Sequence, residues 1–121
     1  MKEHDSEDYL TSLYKKNKKN IIEFVSHLQR EVIVHSIIYY NLNKNVISDY
    51  KYDILSKKLV FFQKKCEDIE KTKYYYATKG FDGNTGCDLF SKLNNNDTNW
   101  LCMIAESVVN SYENDKMCLK K

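Results

Sequence analysis

Residues 35–53 read His-Ser-Ile-Ile-Tyr-Tyr-Asn-Leu-Asn-Lys-Asn-Val-Ile-Ser-Asp-Tyr-Lys-Tyr-Asp. An apolar run that ends in two tyrosines meets a polar stretch from Asn41 to Ile47, and a second helical pattern starts at Ser48. Serine is a favoured N-cap, and Asp49 after it lies where the helix dipole stabilises a negative charge. The segment therefore predicts two helices joined by a short turn, with tyrosines and carboxylates at the joint.

Two amphipathic patterns extend away from this turn, one from about Asn20 to Leu42 and one from Ser48 to about Lys71. Apolar side chains recur in them at spacings of three, four and seven residues, which indicates helices with a buried face. The positions are Ile21, Val25, Leu28, Val32, Tyr39 and Leu42, then Tyr52, Leu55, Leu59, Phe62, Cys66 and Ile69. Two long helices joined by a short loop form an antiparallel hairpin. We therefore predict a mainly all-α fold, in which one or two further helices pack on this hairpin.

The rest of the chain is predicted to add shorter segments to a single domain, residues 1–121. The expected divisions are a polar N-terminal helix or arm at 1–19, the hairpin at 20–72, an aromatic and glycine-containing loop with a short helix at 73–97, a C-terminal helix at 98–112 and a frayed tail at 113–121. The three tyrosines at 74–76 leave a short β-strand or hairpin near residues 73–82 as an alternative for that stretch.

The two helices after the hairpin have weaker sequence signals. Their expected bounds are Thr85 or Cys87 to Leu93 and, after a cap at Thr98, Asn99 to about Tyr112. The loop before them contains all three glycines of the chain, a sign of unusual backbone conformations. Trp100, one turn into the last helix, is expected in the core.

Composition narrows the classes of function. The 121 residues include 18 lysines and one arginine, with a net charge of +2. Sequence-specific binding of nucleic acid usually needs arginine forks on a strongly positive face, so we do not expect it. No apolar run is long enough to span a bilayer and no signal peptide opens the chain, so no membrane association is expected. The abundance of Lys, Asn, Ile and Tyr is typical of low-GC bacteria and their phages. We therefore predict that the protein is located in the cytoplasm of a bacterial cell, and a phage gene is one possible origin of the sequence.

The four cysteines give no signal for a metal site. Cys66, Cys87, Cys102 and Cys118 are widely spaced, and no Cys-x-x-Cys pair occurs. Zinc modules depend on such close pairs, and the three histidines do not supply the missing spacing. We therefore predict no bound metal and reduced, partly buried thiols.

The joint between the two helices combines groups that suit a flat, cationic, hydroxyl-rich ligand. Tyr39 and Tyr40 end the first helix, and Asp49, Tyr52 and Asp53 begin the second. Tyrosine faces attract aromatic cations, and carboxylates accept hydrogen bonds from hydroxyls or amides. A structural explanation stays open, because Tyr39 and Tyr52 fall on apolar stripes and Asp49 compensates the helix dipole.

The same joint resembles the N-terminal Ia domain of bacterial NAD-dependent DNA ligases. That family reads roughly His-x-x-x-Tyr-Tyr, a short turn, then Ile-Ser-Asp-x-x-Tyr-Asp-x-Leu. The corresponding residues here are His35, Tyr39, Tyr40, Ile47, Ser48, Asp49, Tyr52, Asp53 and Leu55. The resemblance covers roughly residues 21–69 and implies a helical hairpin that folds over the nicotinamide mononucleotide half of NAD. It implies ligand contacts at Tyr39, Tyr40, Asp49, Tyr52 and Asp53, with His35 beside them. The chain departs from the family at Asn43 and Asn45, where an acidic residue and a proline are usual.

A second candidate site is the glycine loop, with Gly83, Asn84, Thr85 and Gly86 as phosphate-binding residues. The loop precedes an expected helix start, where free N–H groups favour anions. An ordinary turn that ends in an Asn84 or Thr85 cap is the alternative, since the Gly-Lys-Ser/Thr ending of a P-loop is missing. This loop and the Trp100 helix resemble small phage proteins related to ligases.

Catalysis is not expected. The ligase family carries its lysine nucleophile in Lys-x-Asp-Gly, whereas this chain reads Lys79-Gly80-Phe81-Asp82-Gly83, one residue longer. No nucleotidyltransferase domain, oligonucleotide-binding fold or zinc module is recognisable. An enzyme acting on NAD is the least supported class, because no acidic set stands beside a catalytic Arg or His.

The prediction is therefore a non-catalytic binding module for NAD or an NAD-derived nucleotide, with no required cofactor. One concrete role is a phage protein that sequesters a nucleotide immune signal. The alternative is a protein-interaction module, such as a viral inhibitor of a host enzyme, that keeps the hairpin as a scaffold. The expected partner is a small nucleotide; a host protein and a second copy of the chain, paired through the apolar helices, are further candidates.

Overall fold

A computed structural model of the chain describes residues 7–83 and 86–120, with side chains as far as Lys116. The described ranges contain the helices α1 (Glu7–Lys16), α2 (Ile21–Ser36), α3 (Asp49–Lys65), α4 (Tyr75–Thr78) and α5 (Asn95–Lys120). A π-helical turn, Ile37–Asn41, continues α2, and 3-10 turns lie at Lys18–Asn20, Ile69–Lys71 and Phe90–Lys92. These ranges contain no strand, which confirms the all-α prediction.

The helical hairpin of α2 and α3 is present, and α2 lies at the centre of the fold. α2 packs against both α3 and α5, and Val25, Val32 and Ile33 on it have no exposed surface. Phe62 of α3 is equally buried, and its ring centroid lies 5.0 Å from that of Phe24. α2 therefore packs against its neighbours on several sides, and it keeps an exposed strip that contains Glu23 and His27.

A buried polar network attaches residues 72–78 to the hairpin. Gln29 of α2 is fully buried, and its Nε2 donates to Gln63 Oε1 at 3.0 Å and to Thr72 Oγ1 at 2.8 Å. Its Oε1 accepts from the backbone N–H of Tyr74 at 3.0 Å. Gln63 Nε2 donates in turn to the carbonyl of Thr78 at 3.1 Å. Because the amide nitrogen and the amide oxygen of Gln29 both have hydrogen-bond partners, the network stabilises one backbone conformation of residues 72–78.

The strand or hairpin considered for residues 73–82 is wrong. Tyr75–Thr78 form one helical turn, and the backbone N–H of Thr78 donates to the carbonyl of Tyr74 at 3.0 Å. The network around Gln29 holds both ends of this turn, so the tyrosines have no neighbouring strand with which to pair.

The second hairpin helix ends earlier than predicted. The sequence pattern suggested Lys71, but α3 ends at Lys65, and Cys66 is extended at φ −71° and ψ 120°. The apolar spacing continues through Cys66 and Ile69 because both still face the core, one as an extended residue and one in a 3-10 turn. Spacing alone does not distinguish these conformations from a continued helix.

The last helix is longer than predicted at both ends. α5 begins at Asn95, four residues before the expected start, because Asn94 rather than Thr98 provides the cap: its Oδ1 accepts from the Asp97 N–H at 2.7 Å. α5 continues to Lys120, so the expected end at Tyr112 is wrong. None of the helices in the described ranges is both long and apolar enough to cross a membrane.

Candidate functional site

A cavity of about 260 Å³ lies at the joint between the π-helical turn and α3. The residues that line it are His35, Ile38, Tyr39, Tyr40, Lys44, Asn45, Val46, Ile47, Asp49, Tyr52, Asp53 and Gly83. All six residues predicted for the joint are in this set, and they come from both helices. We call this space the corner cavity.

The π-helical turn determines how the two tyrosines are presented. The N–H of Leu42 donates to the carbonyl of Ile37 at 2.9 Å, a five-residue spacing in place of the four of an α-helix. Tyr39 and Tyr40 are 49% and 43% exposed, and their rings meet edge to face with centroids 4.8 Å apart. π-turns occur frequently at functional sites, because the extra residue redirects side chains. The core explanation of Tyr39 is therefore wrong: its ring is open to the cavity and to solvent.

The start of α3 supplies the carboxylates. Ser48 caps the helix as predicted, and its Oγ accepts from the N–H of Lys51 at 3.1 Å. Asp49 follows in the first turn and Asp53 one turn later, so both line the cavity from the same helix. Asp53 also forms an exposed ion pair with Lys57 at 3.1 Å. Both carboxylates thus remain accessible as hydrogen-bond acceptors.

Tyr52 combines a structural role with a place in the cavity wall. Its hydroxyl lies 2.7 Å from Ser36 Oγ, and Ser36 itself donates to the carbonyl of Val32 at 2.8 Å. A hydroxyl has one proton, so Tyr52 is the donor in this pair. Burial, the largest cause, raises the pKa of Tyr52 above its usual value. Ser56 Oγ lies close enough to the phenol to oppose this rise, but it is buried without a hydrogen bond of good geometry among the described residues.

His35 is a half-buried member of the site. Burial lowers its pKa below the usual value, and the nearby carboxylate of Glu31 opposes this effect only in part. His35 is therefore neutral at neutral pH and presents an uncharged ring to the cavity. An imidazolium there would repel a cationic ligand, which makes this the compatible protonation state.

The sequence did not predict Lys44 as a site residue. Lys44 is the cationic residue among the described residues that line the corner cavity. Lys44 lies in the turn after the π-helical residues, next to Asn43, whose φ is 58°. Its Nζ forms an ion pair of 3.1 Å with Glu113 Oε2 of α5. The polar turn was visible in the sequence, but the contact depends on the extension of α5 beyond Tyr112, which was not expected.

The glycine loop meets the hairpin, although half of its predicted site lies outside the described residues. Gly83 lines the corner cavity, and Gly86 is buried against the Ser36–Tyr52 hydroxyl pair. The other two predicted members, Asn84 and Thr85, fall outside the described residues. The helix expected to follow, ending at Leu93, is instead a 3-10 turn of three residues, Phe90–Lys92. Residues 86–93, which the structure describes, therefore lack the α-helix N-terminus on which the phosphate prediction depended.

Other chemistry is sparse in the described part of the chain. It contains no cluster of three or more His, Cys, Asp or Glu side chains able to hold a metal ion. Cys66, Cys87 and Cys102 form no disulfide among the described residues; Cys66 is buried and Cys87 is exposed. Burial raises the pKa of the Cys66 thiol, which keeps it protonated.

Comparison with known proteins gives a partial similarity to a ligase. A DNA ligase of Buchnera aphidicola subsp. Baizongia pistaciae is 41% identical over 49 residues, which are 40% of this chain and 7% of the ligase. No protein-family model matches the chain, and no solved structure matches it significantly. A stretch of this chain is thus similar to a small part of a DNA ligase, and the chain spans only a small fraction of that protein's length.

Proposed function

We propose that the corner cavity binds the nicotinamide mononucleotide part of NAD, or of a nucleotide derived from NAD, without performing chemistry on it. One observation carries the proposal: the six residues that resemble a ligand-binding set come together from two helices around one cavity. The similarity to a DNA ligase over 49 residues supports the resemblance from which that set was taken.

The lining groups match the parts of such a ligand. The exposed ring faces of Tyr39 and Tyr40 suit the cationic nicotinamide ring, since a cation over an aromatic face is attracted by the ring quadrupole. Asp49 and Asp53 accept hydrogen bonds from ribose hydroxyls or from the carboxamide. Lys44 is the lining cation near which a phosphate would lie.

The volume limits how much of the ligand is enclosed. Sites for drug-sized ligands occupy roughly 300–1,000 Å³, and the corner cavity, at about 260 Å³, lies just below that range. The nicotinamide and its ribose fit this space better than a whole dinucleotide does. In the proposed complex the adenylate half of NAD therefore extends into solvent.

The non-catalytic part of the proposal is supported by the exposure of the carboxylates. Asp49 is exposed, and Asp53 is exposed and paired with Lys57. General acid–base groups act best in a site from which water is excluded, and neither carboxylate has such surroundings. Binding without turnover would suit a phage protein that withdraws an NAD-derived signal from a bacterial defence response, the role supported by the phage-like composition.

Thermal unfolding in the presence of nicotinamide riboside, nicotinamide mononucleotide, NAD and ADP-ribose tests the proposal. At 100 times Kd, a ligand that binds only the folded state adds about 2.7 kcal/mol to its stability. The three nicotinamide compounds are expected to raise the melting temperature, and Tyr39→Ala, with a Kd about tenfold higher, is expected to reduce the added stability at the same ligand concentration to about 1.4 kcal/mol. If none of the four compounds stabilises the wild-type protein, the site does not bind these nucleotides, and the interaction-module alternative is favoured.

Release of nicotinamide tests the non-catalytic part separately. NAD incubated with the protein is expected to stay intact, as measured by chromatography of free nicotinamide against a buffer control. Release that depends on Asp53 or His35 would contradict this part of the proposal and would leave the binding site unchanged.

A further inference from the structure

A second groove lies on the other side of α2. The residues that line it are Ile22, Glu23, Ser26, His27, Arg30, Lys73, Tyr74 and Trp100. Its volume is about 440 Å³, within the range of small-molecule sites. His35 is five positions after Arg30, which places it about 140° away around the helix axis, so the two sites use different faces of α2. We call this space the Trp100 groove.

Arg30, the one arginine of the chain, is held in the groove by a chain of contacts. Its Nη2 lies 3.2 Å from His27 Nδ1, and His27 Nε2 lies 3.3 Å from Glu31 Oε2. Arginine only donates, so Nδ1 accepts and the proton of a neutral His27 is on Nε2, directed at Glu31. The remaining guanidinium N–H groups of Arg30 have no carboxylate partner among the described residues. The arginine is thus oriented while most of its donors stay available.

Lys73 is attached to α2 at the groove through its backbone. Its N–H donates to Ser26 Oγ at 2.9 Å, and the N–H of the next residue, Tyr74, donates to buried Gln29. The Nζ of Lys73 lies 5.6 Å from the centroid of the Tyr74 ring. Two cationic residues, Arg30 and Lys73, therefore line the groove, and Glu23 is the acidic residue among its described lining residues.

Trp100 adds an aromatic platform to these cations. It was expected in the core, but 48% of its surface is exposed, whereas the next residue, Leu101, is completely buried. Successive residues of a helix lie about 100° apart around its axis, so α5 turns Leu101 toward the core and leaves the indole at the groove. An exposed indole beside an oriented arginine combines a stacking surface with a fork that matches phosphate.

We propose that the Trp100 groove binds a small planar aromatic compound that carries a phosphate, such as a nucleoside monophosphate. The ring stacks on Trp100, and Arg30 and Lys73 bind the phosphate. No residue of this site lines the corner cavity, so the proposal stands or falls separately from the one above.

Intrinsic fluorescence tests this proposal directly, because Trp100 is the single tryptophan of the protein. AMP, phenyl phosphate, adenosine and inorganic phosphate are titrated into the full-length chain. We expect saturable quenching by AMP and a Kd for adenosine at least tenfold higher. Similar affinities for AMP and phenyl phosphate would identify a general aromatic-phosphate site, and a clear preference for AMP would identify a nucleotide site. The proposal would be overturned if neither AMP nor phenyl phosphate gave saturable quenching up to about 10 mM, a range that includes very weak binding.

Variants then locate the phosphate. Arg30→Gln and Lys73→Gln are each expected to raise the Kd for AMP at least tenfold, with the fold monitored by circular dichroism. Lys64→Gln removes one positive charge elsewhere on the surface, and Tyr39→Ala alters the corner cavity; both are expected to leave the Kd unchanged. Unchanged affinity in folded Arg30→Gln and Lys73→Gln would overturn the assignment, and loss of quenching in Tyr39→Ala would place AMP in the corner cavity instead.

Discussion

The hydroxyl oxygens of Ser36 and Tyr52 lie 2.7 Å apart and join α2 to α3 beside the corner cavity. Gly86, from the loop after α4, closes over this pair so tightly that a Cβ on it would overlap both oxygens. The hydrogen bond therefore links three parts of the chain, and it lies at the wall of the proposed ligand site.

This packing predicts that Gly86→Ala is destabilising. The added methyl group forces the hydroxyl pair apart or moves the loop, and overpacking of this kind typically costs about 1–3 kcal/mol. Gly80→Ala is a matched control, because a Cβ there meets only Lys92 Nζ, at 3.9 Å. Urea unfolding of both variants measures the difference. Equal stabilities would mean that the loop does not close on the hairpin as described.

The network around Gln29 predicts a second sensitive position. Gln29→Leu removes the acceptor of the buried Tyr74 N–H, and an unsatisfied buried group costs about 1–3 kcal/mol. Glu31→Leu on the same helix removes the exposed ion pair with His27 and the electrostatic interaction with His35, and it is expected to change stability by less than about 1 kcal/mol. Chemical denaturation compares the two. If Gln29→Leu left the stability unchanged, water would be replacing the hydrogen bonds of the glutamine.

The hairpin and its turn were predictable because they depend on local rules. The spacing of Val25, Leu28 and Val32 indicates one buried face, and Ser48 carries a recognisable cap signal. The residues of the corner could be grouped for the same reason, since both sides lie within 19 residues of sequence. The volume and accessibility of the cavity between them were not predictable from these signals.

The features that were missed depend on contacts between distant segments. Gln29 is a polar residue in an apolar pattern, and its partner Tyr74 is 45 residues away. The hydrogen bonds of the π-helical turn at Ile37–Asn41 span one residue more than those of an α-helix, a change that apolar spacing over five residues does not reveal. Asn94 and Thr98 are both plausible N-caps of α5 in the sequence. The hydrogen bond from Tyr76 Oη to Asp97 favours the start of α5 after Asn94, and this contact is not visible in the sequence.

His35 predicts a pH dependence of stability. Burial lowers its pKa in the folded protein below its ordinary value of about 6.5, so the unfolded chain binds the proton more readily. The contribution of His35 is complete above about pH 6.5 and is lost as the pH falls toward the lower folded pKa, by at most about 1.4 kcal/mol per pH unit.

Urea unfolding between about pH 7.5 and 5.5 checks this expectation above the range in which ordinary carboxylates titrate. Wild type is expected to lose more stability over this interval than His35→Gln does. The exposed His27 is present in both proteins and cancels in the comparison. Parallel pH profiles would show that His35 is protonated equally easily in the folded and unfolded chains.

Ligand binding in the corner cavity can be tested by replacing two exposed tyrosines, one inside the cavity and one outside it. Tyr39 is 49% exposed and lines the cavity, whereas Tyr50 is 67% exposed and does not. Replacing either by alanine is expected to change stability by less than about 0.5 kcal/mol, since neither is in the core. Tyr39→Ala removes a cation-binding face worth about 0.5–2 kcal/mol, so the Kd for nicotinamide mononucleotide, measured by calorimetry, should rise about tenfold. Tyr50→Ala should bind as wild type does, and equal weakening in both variants would mean that the ligand contacts the outer surface of α3 rather than the cavity.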